Sequence, residues 1–329
     1  MRTVVGVLRG GPSSEYEVSL KSGASVLSML DTAKYEPRDI FIDRAGIWHS
    51  RGVPQSPERV LSGVDVAFNI VHGEYGEDGT LQRILEALGV PYTGPDAFTS
   101  KLAFNKHRTK EAVGALGVKI AHGALIDQSK VTDLHKTAFN IFRSFPPPLI
   151  VKPSIGGSSV GITKVDHFDA LEFALLRAFA VSSQALVEEY IAGKEATVGV
   201  IDGFRDEKIY ALMPIEIIPP KTSPFFDYEA KYSGETIERV PGHFSQEQKR
   251  GLMDAAKKVH EALGLLHYSR SDFIVAPRGI YFLEVNPAPA IGFTSESLFP
   301  KALKAVGARP ADFLDHVIQL AKKPFQTKE

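Results

Sequence analysis

Cysteine is absent from this chain of 329 residues, which excludes disulfides, thiolate nucleophiles and zinc–thiolate sites together. The absence fits a reducing compartment, and a cytoplasmic location is the expectation. An excess of one charge is also missing: Lys and Arg number 38 against 39 Asp and Glu, for a formal net charge of −1. No long-range field draws in nucleic acid or an acidic membrane surface, so neither is expected as a partner. Long apolar runs are lacking as well. No stretch reaches the roughly 18 uncharged apolar residues of a spanning helix. The opening MRTVVGVLRGG reads as a first strand rather than a signal peptide.

What is present is 43% hydrophobic and 23% charged residues, the profile of a globular protein long enough for two or three domains. Residues 4–8 are a compact apolar strand ending at Gly10-Gly11. Ser14 and Glu17 are spaced as a capping box, and Val18, Ala24, Leu27 and Leu30 follow as a helical stripe. Strands over 39–42 and 64–70 come next, then Leu81, Ile84, Leu85 and Leu88 at helical spacing before Gly89. Residues 1–100 therefore read as an open, largely parallel α/β unit.

A helix is expected over 101–118. Within 101–190 a central α+β region follows, with strands over 149–152, 160–165 and 185–190 and helices over 132–144 and 167–180. Residues 191–329 hold a strand-rich part, a polar loop over 219–238, a helix over 246–263, a β-hairpin and a C-terminal helical pair. The fold class is α/β combined with α+β.

Two segments carry the chemistry. In Ile150-Val-Lys-Pro-Ser-Ile-Gly-Gly-Ser-Ser-Val-Gly161 a strand ends at Lys152, a Gly- and Ser-rich turn follows, and a second strand begins near Val160. Backbone N–H groups and hydroxyls of such a turn close over a triphosphate while the lysine supplies a point charge. The order of lysine before glycines, and strand–loop–strand, excludes a Walker A loop. A polar hairpin with a flexible tip is the plainer alternative.

The second segment is the hairpin of Tyr268-Ser-Arg-Ser-Asp-Phe-Ile-Val-Ala276 and Ile280-Tyr-Phe-Leu-Glu-Val-Asn286. If Pro277-Arg278-Gly279 is the turn, Asp272 faces Glu284 and Arg270 faces Asn286, all on one side. Phe273, Val275, Leu283 and Val285 then take the other. Facing carboxylates repel unless a cation lies between them, and Asp, Glu and Asn oxygens suit Mg²⁺. A two-residue turn would break this alignment. Glu188 and Glu195 flank the end of a further apolar strand, a weaker signal for adenine and ribose.

Taken in order, the motifs resemble the D-alanine–D-alanine ligase family, a branch of the ATP-grasp enzymes. They are Gly10-Gly11 with Ser14-Glu15-Tyr16-Glu17-Val18-Ser19-Leu20, His72-Gly73 with Gly76-Glu77-Asp78-Gly79-Thr80-Leu81-Gln82, Pro91-Tyr92-Thr93-Gly94, the Lys152 loop, Phe226-Asp227-Tyr228-Glu229-Ala230-Lys231-Tyr232, Arg270-Ser271-Asp272 and Glu284-Val285-Asn286. The resemblance implies an ATP-grasp fold with an N-terminal open parallel α/β domain. It also implies a D-alanyl phosphate intermediate and a dipeptide for peptidoglycan precursor synthesis.

It implies that Lys106, Lys152, Lys231, Ser158 and the Gly156-Gly157 backbone hold ATP phosphates. Glu188 and the Ile191 backbone would meet adenine, and Glu195 the ribose. Asp272, Glu284 and Asn286 would hold two Mg²⁺ ions, with Mn²⁺ as a substitute. Glu15 would bind the first ammonium within a set including Ser158 and Tyr232, with His72 beside it and Arg270 at the developing oxyanion. Gly292 and Ser297 would receive the second amino acid. The family also implies a homodimer, and Tyr232 accompanies peptide rather than ester formation. Residues 219–238 would be a lid that keeps water from the acyl phosphate.

One departure stands out: Asn286-Pro-Ala-Pro-Ala-Ile-Gly-Phe-Thr-Ser295 is two residues longer than the family's usual loop. It leaves open a ligase that takes a different second amino acid. A nucleotide-binding protein without ligase activity is the remaining alternative, disfavoured by Arg270.

Overall fold

The computed structural model describes residues 2–157, 159–220 and 236–323, so Ser158, Lys231 and Tyr232 lie outside the described residues. Three sheets form. The first contains β1 (Thr3–Gly10), β2 (Tyr35–Ile42), β3 (Trp48–Ser50), β4 (Val53–Pro54) and β5 (Val66–Asn69), in the order β4-β3-β2-β1-β5. β1 runs parallel to both β2 and β5, and antiparallel pairing is confined to the β2-β3-β4 edge.

The helix Tyr16–Met29 packs on β1 through Ser19, Ser22, Gly23 and Val26; of the expected apolar stripe Leu27 and Leu30 join the same core, whereas Ala24 is exposed. Small residues are needed because the helix lies close to the strand: a side chain at Gly23 would strike Arg9. Ser19 Oγ accepts from Gly10 N and donates to Ile70 O, so one hydroxyl ties the ends of β1 and β5 to the helix. The expected capping box is not formed. Glu15 occupies the cap position without its side chain capping the helix, and Ser13 Oγ accepts from Glu15 N while donating to His72 O.

The expected helix over 101–118 is broken in two, Ala97–Phe104 and Lys106–Gly114. Asp96 caps the first and Asn105 the second, each carboxyl or amide oxygen accepting a backbone N–H three residues on. The break brings Lys106 N to Ser154 O at 2.8 Å and fastens these helices to the Lys152 loop.

β6 (Lys119–Ile120) pairs with the third sheet, whereas β7 (Gly123–Asp127), β8 (Leu149–Pro153), β9 (Thr163–Val165) and β10 (Gln184–Glu189) form the second in the order β7-β10-β8-β9. Helices Leu134–Ser144 and Leu171–Phe179 cover one face of it, with Leu149, Val151, Leu171, Leu175 and Val187 in the core. The third sheet adds β11 (Lys194–Asp202), β12 (Ile209–Ala211), β13 (Ile215–Ile218), β14 (Ile237–Arg239), β15 (Tyr268–Ala276) and β16 (Gly279–Pro287). Its order is β14-β13-β11-β15-β16-β6, with β12 pairing β11 off this path. The helix Gln246–Ala262, with a capping box at Ser245 and Gln248, covers one face through Leu252, Ala256 and Val259. Helices Leu298–Ala305 and Pro310–Ala321 return to the first sheet, where Phe313, Leu314 and Val317 share a core with Val5, Val7 and Phe68.

The β15–β16 pair reaches the expected rungs by an unexpected route. Asp272 faces Glu284 and Arg270 faces Asn286, but the turn has only two residues, since Ala276 pairs with Gly279. A register shift between Asp272 and Phe273 absorbs the difference, leaving Leu283 as the extra residue. A bulge of this kind places two residues against one and turns a side chain to the other face. Leu283 accordingly joins Ile191, Ile274 and Tyr281 instead of the Phe273–Val285 core.

Candidate active site

Two cavities meet at the strand pair β15–β16. The first, about 500 Å³, lies between the second and third sheets and is lined by Lys152, Glu188, Ile191, Glu195, Ile274 and Leu283. The second, about 610 Å³, lies between the first and third sheets and is lined by Glu15, His72, Glu77, Lys106, Asn286, Gly292 and Ser297. Arg270 and Glu284 line both.

In the first cavity Lys152, on β8, and Glu188, on β10, are diagonal neighbours across paired strands. Lys152 Nζ lies 2.8 Å from Glu188 Oε2, and Lys110 Nζ donates to Oε1. Burial pushes the Glu188 carboxyl up, but the two ammonium groups outweigh it and hold it at about 2. Burial beside Lys152 brings Lys110 down to about 8. The sequence reading named Lys106, one helical turn earlier, and did not include Lys110. Lys106 Nζ lines the second cavity at its junction with the first, donating to Gly156 O at 2.6 Å and lying 3.3 Å from Glu284 Oε2. The available signal was Lys110 itself, spaced three residues before buried Val113 on a helix, where a solvent-facing lysine is not expected.

Glu15 sits at the start of its helix with its carboxylate against two glycine backbones. A Cβ at Gly157 would lie 2.8 Å from Glu15 Oε2, and one at Gly73 3.2 Å. The Gly-rich loop that follows Lys152 thus reaches across to the first sheet. His72, 3% exposed, places Nε2 3.3 Å from Ser22 Oγ. Burial lowers its pKa to about 4, with Glu15 opposing and Arg270 assisting, so the imidazole is neutral at neutral pH. Glu77 accepts the Gly73 N–H at 2.6 Å, and burial, reinforced by Glu15, pushes its carboxyl up to about 8.

Arg270 forks onto Asp272, with Nε to Oδ1 at 3.1 Å and Nη2 to Oδ2 at 3.2 Å. Thr197 Oγ1 donates to Asp272 Oδ1 and Asn286 Nδ2 to Oδ2. Asp272, Glu284 and Asn286 are therefore neighbours on adjacent strands at the junction of the cavities, offering hard oxygen donors of the kind Mg²⁺ takes with water and phosphate oxygens. Among the described residues no cluster of three His, Cys, Asp or Glu occurs. Two carboxylates and an amide therefore make up the candidate set. Ser297 Oγ accepts from Thr294 N at 3.1 Å, and a side chain at Gly292 would lie 2.7 Å from that hydroxyl. Residues 287–291 form a turn of 3₁₀ helix, Ala288–Ala290, buried against Gly94.

Comparison with known proteins settles the family. Models described as D-ala D-ala ligase N-terminus and C-terminus match residues 4–60 and 49–95, and 113–319, respectively. This chain belongs to the D-alanine–D-alanine ligase family. A D-alanine–D-alanine ligase of Geobacter sulfurreducens is 38% identical over 319 residues, 96% of this chain and 93% of the relative. D-alanine–D-alanine ligase B of Chromobacterium violaceum is 40% identical, covering 92% of each. Among solved structures, the VanG D-Ala:D-Ser ligase from Enterococcus faecalis superposes with a TM-score of 0.84 at 30% identity, covering 98% of this chain and 100% of that one. The D-alanine–D-alanine ligase from Coxiella burnetii gives 0.82 at 25%, covering 98% and 94%. The ATP-grasp fold expected from the motifs accords with these neighbours. Among the described residues no helix is long and apolar enough to cross a membrane.

Proposed function

We propose that this chain joins two molecules of D-alanine at the expense of ATP, through a D-alanyl phosphate, and so supplies a dipeptide for peptidoglycan precursors. The observation that carries the reading is the meeting of the two cavities at Arg270 and Glu284. One cavity has the cations for a triphosphate and the other has an anionic seat for an ammonium.

Lys152 faces the phosphates, held by Glu188 with Lys110 behind it, and Lys106 reaches the junction at Glu284. The Ile191 backbone and Glu195 lie where adenine and ribose would enter. Glu15 receives the ammonium of the first D-alanine and leaves its carboxylate directed at the junction. A carboxylate oxygen attacks the γ-phosphorus, ADP leaves, and the acyl phosphate forms. The amine nitrogen of the second D-alanine then attacks the acyl carbon, phosphate departs and the amine gives up a proton. Arg270 faces the oxyanion of that addition, so its interaction strengthens on the way to the transition state. Neutral His72 stands beside the first substrate as a positioning group.

Mg²⁺, held by Asp272, Glu284 and Asn286, would neutralise charge on the phosphoryl group in flight. Two such ions, a cytoplasmic location and a homodimer complete the reading. The test is to incubate the chain with D-alanine, ATP and Mg²⁺ and to quantify ADP, phosphate and dipeptide. ATP consumption indifferent to D-alanine would sink it.

The longer 287–291 loop favours one second reading, a ligase whose acceptor is another small amino acid. An extra hydroxyl or methylene shifts such selectivity by only ~1–3 kcal/mol. A panel of D- and L-amino acid acceptors competing with D-alanine decides between the two.

A further inference from the structure

His267 occupies a left-handed backbone position, φ 68°, where a histidine is uncommon and glycine or asparagine is at ease. Its Nδ1 lies 2.9 Å from the amide nitrogen of Gly94, which belongs to the first sheet's Tyr92-Thr93-Gly94 segment. A backbone N–H only donates, so Nδ1 carries no proton and the ring is the neutral tautomer with its hydrogen on Nε2.

The backbone of His267 is held from below. His267 N donates to Asp202 Oδ2 at 2.7 Å, and Asp202 Oδ1 meets His260 Nε2 at 3.1 Å. His316 Nε2 lies 2.7 Å from Asp202 O. Burial, with His260 and His316 assisting and Asp202 opposing, lowers the pKa of His267 to about 4, which keeps the acceptor available at neutral pH.

Gly94 is pressed against the long loop. A Cβ there would lie 3.1 Å from Ala288 Cβ and 3.5 Å from Pro289 Cδ. The turn continues through Ala290 and Gly292, which line the cavity that also holds Arg270. Thr93 Oγ1 accepts from Asn69 N at 3.0 Å and anchors the other side to β5. His267 itself directly precedes β15, three residues before Arg270.

We propose that His267 is a positioning residue for the second amino acid: its Nδ1 holds Gly94 against the 288–290 turn and thereby fixes the wall of the acceptor site. The proposal rests on the ligase reading. It gives the Ala288–Ala290 turn a neighbour, Gly94, that is itself held by a side chain from outside the loop.

The test compares His267→Gly, which suits the backbone but removes the acceptor, with His267→Asn, which suits it and offers an amide oxygen near the position of Nδ1. The readouts are ADP formed per dipeptide, the D-alanine dependence of dipeptide formation, and hydrogen exchange at the Gly94 amide. The glycine variant is expected to raise the half-saturating D-alanine concentration for dipeptide formation roughly fivefold, the factor for one lost hydrogen bond. It should also raise ADP per dipeptide, as unprotected acyl phosphate meets water, and speed exchange at Gly94. His267→Asn is expected to restore all three.

Lower output with an unchanged ADP-to-dipeptide ratio and unchanged D-alanine dependence overturns the proposal. So does an asparagine variant no better than the glycine one. If the unaltered chain forms no D-alanine-dependent ADP, the ligase reading fails first and takes the acceptor role with it.

Discussion

The two cavities that meet at Arg270 are built on opposite plans. The nucleotide side holds full charges, each paired with another: Lys152 and the helical Lys110 on Glu188, and Arg270 on Asp272. The amino acid side adds titratable groups that burial strips of charge, His72 kept neutral and Glu77 kept largely protonated at neutral pH, between Glu15 and the Lys106–Glu284 pair. The contrast follows from the ligands. A triphosphate arrives with several negative charges and needs a site whose own charge is already arranged. A zwitterion arrives with none net and is oriented at its ammonium end by a carboxylate such as Glu15, with neutral His72 and Glu77 close by.

The strongest test of that contrast is Arg270→Ala, which strikes the point the cavities share. We expect turnover to fall about 10²–10³-fold, the range for loss of an oxyanion donor, with the KM for ATP little changed in steady-state kinetics. A large loss of ATP affinity with intact turnover would place Arg270 on the nucleotide side alone. Next comes Glu188→Ala, which leaves two buried ammonium groups facing one another. Breaking a buried pair in this way costs about 3–5 kcal/mol, to be read from urea unfolding. If that stability is unchanged, the charge on this side is not paired as described.

The neutral side is tested by pH. His72 has a folded pKa of about 4 against an ordinary 6.5. As pH falls through that window the unfolded chain takes up a proton that the folded chain refuses, so stability is lost on acidification. His72→Gln is expected to remove up to about 3 kcal/mol of this pH dependence, measured as unfolding midpoints at pH 7 and pH 4.5. An unaltered slope would mean that His72 is not held neutral. The smallest effect belongs to Gly157→Ala. Its Cβ would lie 2.8 Å from Glu15 Oε2, and crowding of ~1 kcal/mol should raise the KM for the first amino acid several-fold while sparing that for ATP. Equal effects on both would erase the distinction between the cavities.

The carboxylate rung was legible because Asp272 and Glu284 interrupt strands that are otherwise apolar at every second position. The means of alignment was not. A two-residue turn and a bulge at Leu283 sum to the same register as a three-residue turn, and periodicity alone cannot separate them. Lys110 escaped notice because a lysine on a helix reads as solvated until the facing carboxylate is known. His267 was silent for a related reason: nothing local to Leu266-His267-Tyr268 announces a left-handed residue, and the hydrogen bond that uses it comes from position 94. Ser14 and Glu17 gave a false start, since Ser13 turned to His72 and left the helix capped differently. Local motifs located the site, and long-range pairing set its details.

The helix Pro310–Ala321 lies on the sheet that begins the chain, with Tyr35 Oη donating to Asp315 Oδ1 at 2.6 Å and Gln319 Nε2 reaching Tyr35 Oη at 3.1 Å. Its Phe313, Leu314, Val317 and Ile318 are fully buried among the first strands. During synthesis, then, the first sheet waits with one apolar flank uncovered until the helix Pro310–Ala321 has left the ribosome. A chain cut short before that helix leaves its first sheet unfinished, an easy mark for proteolysis.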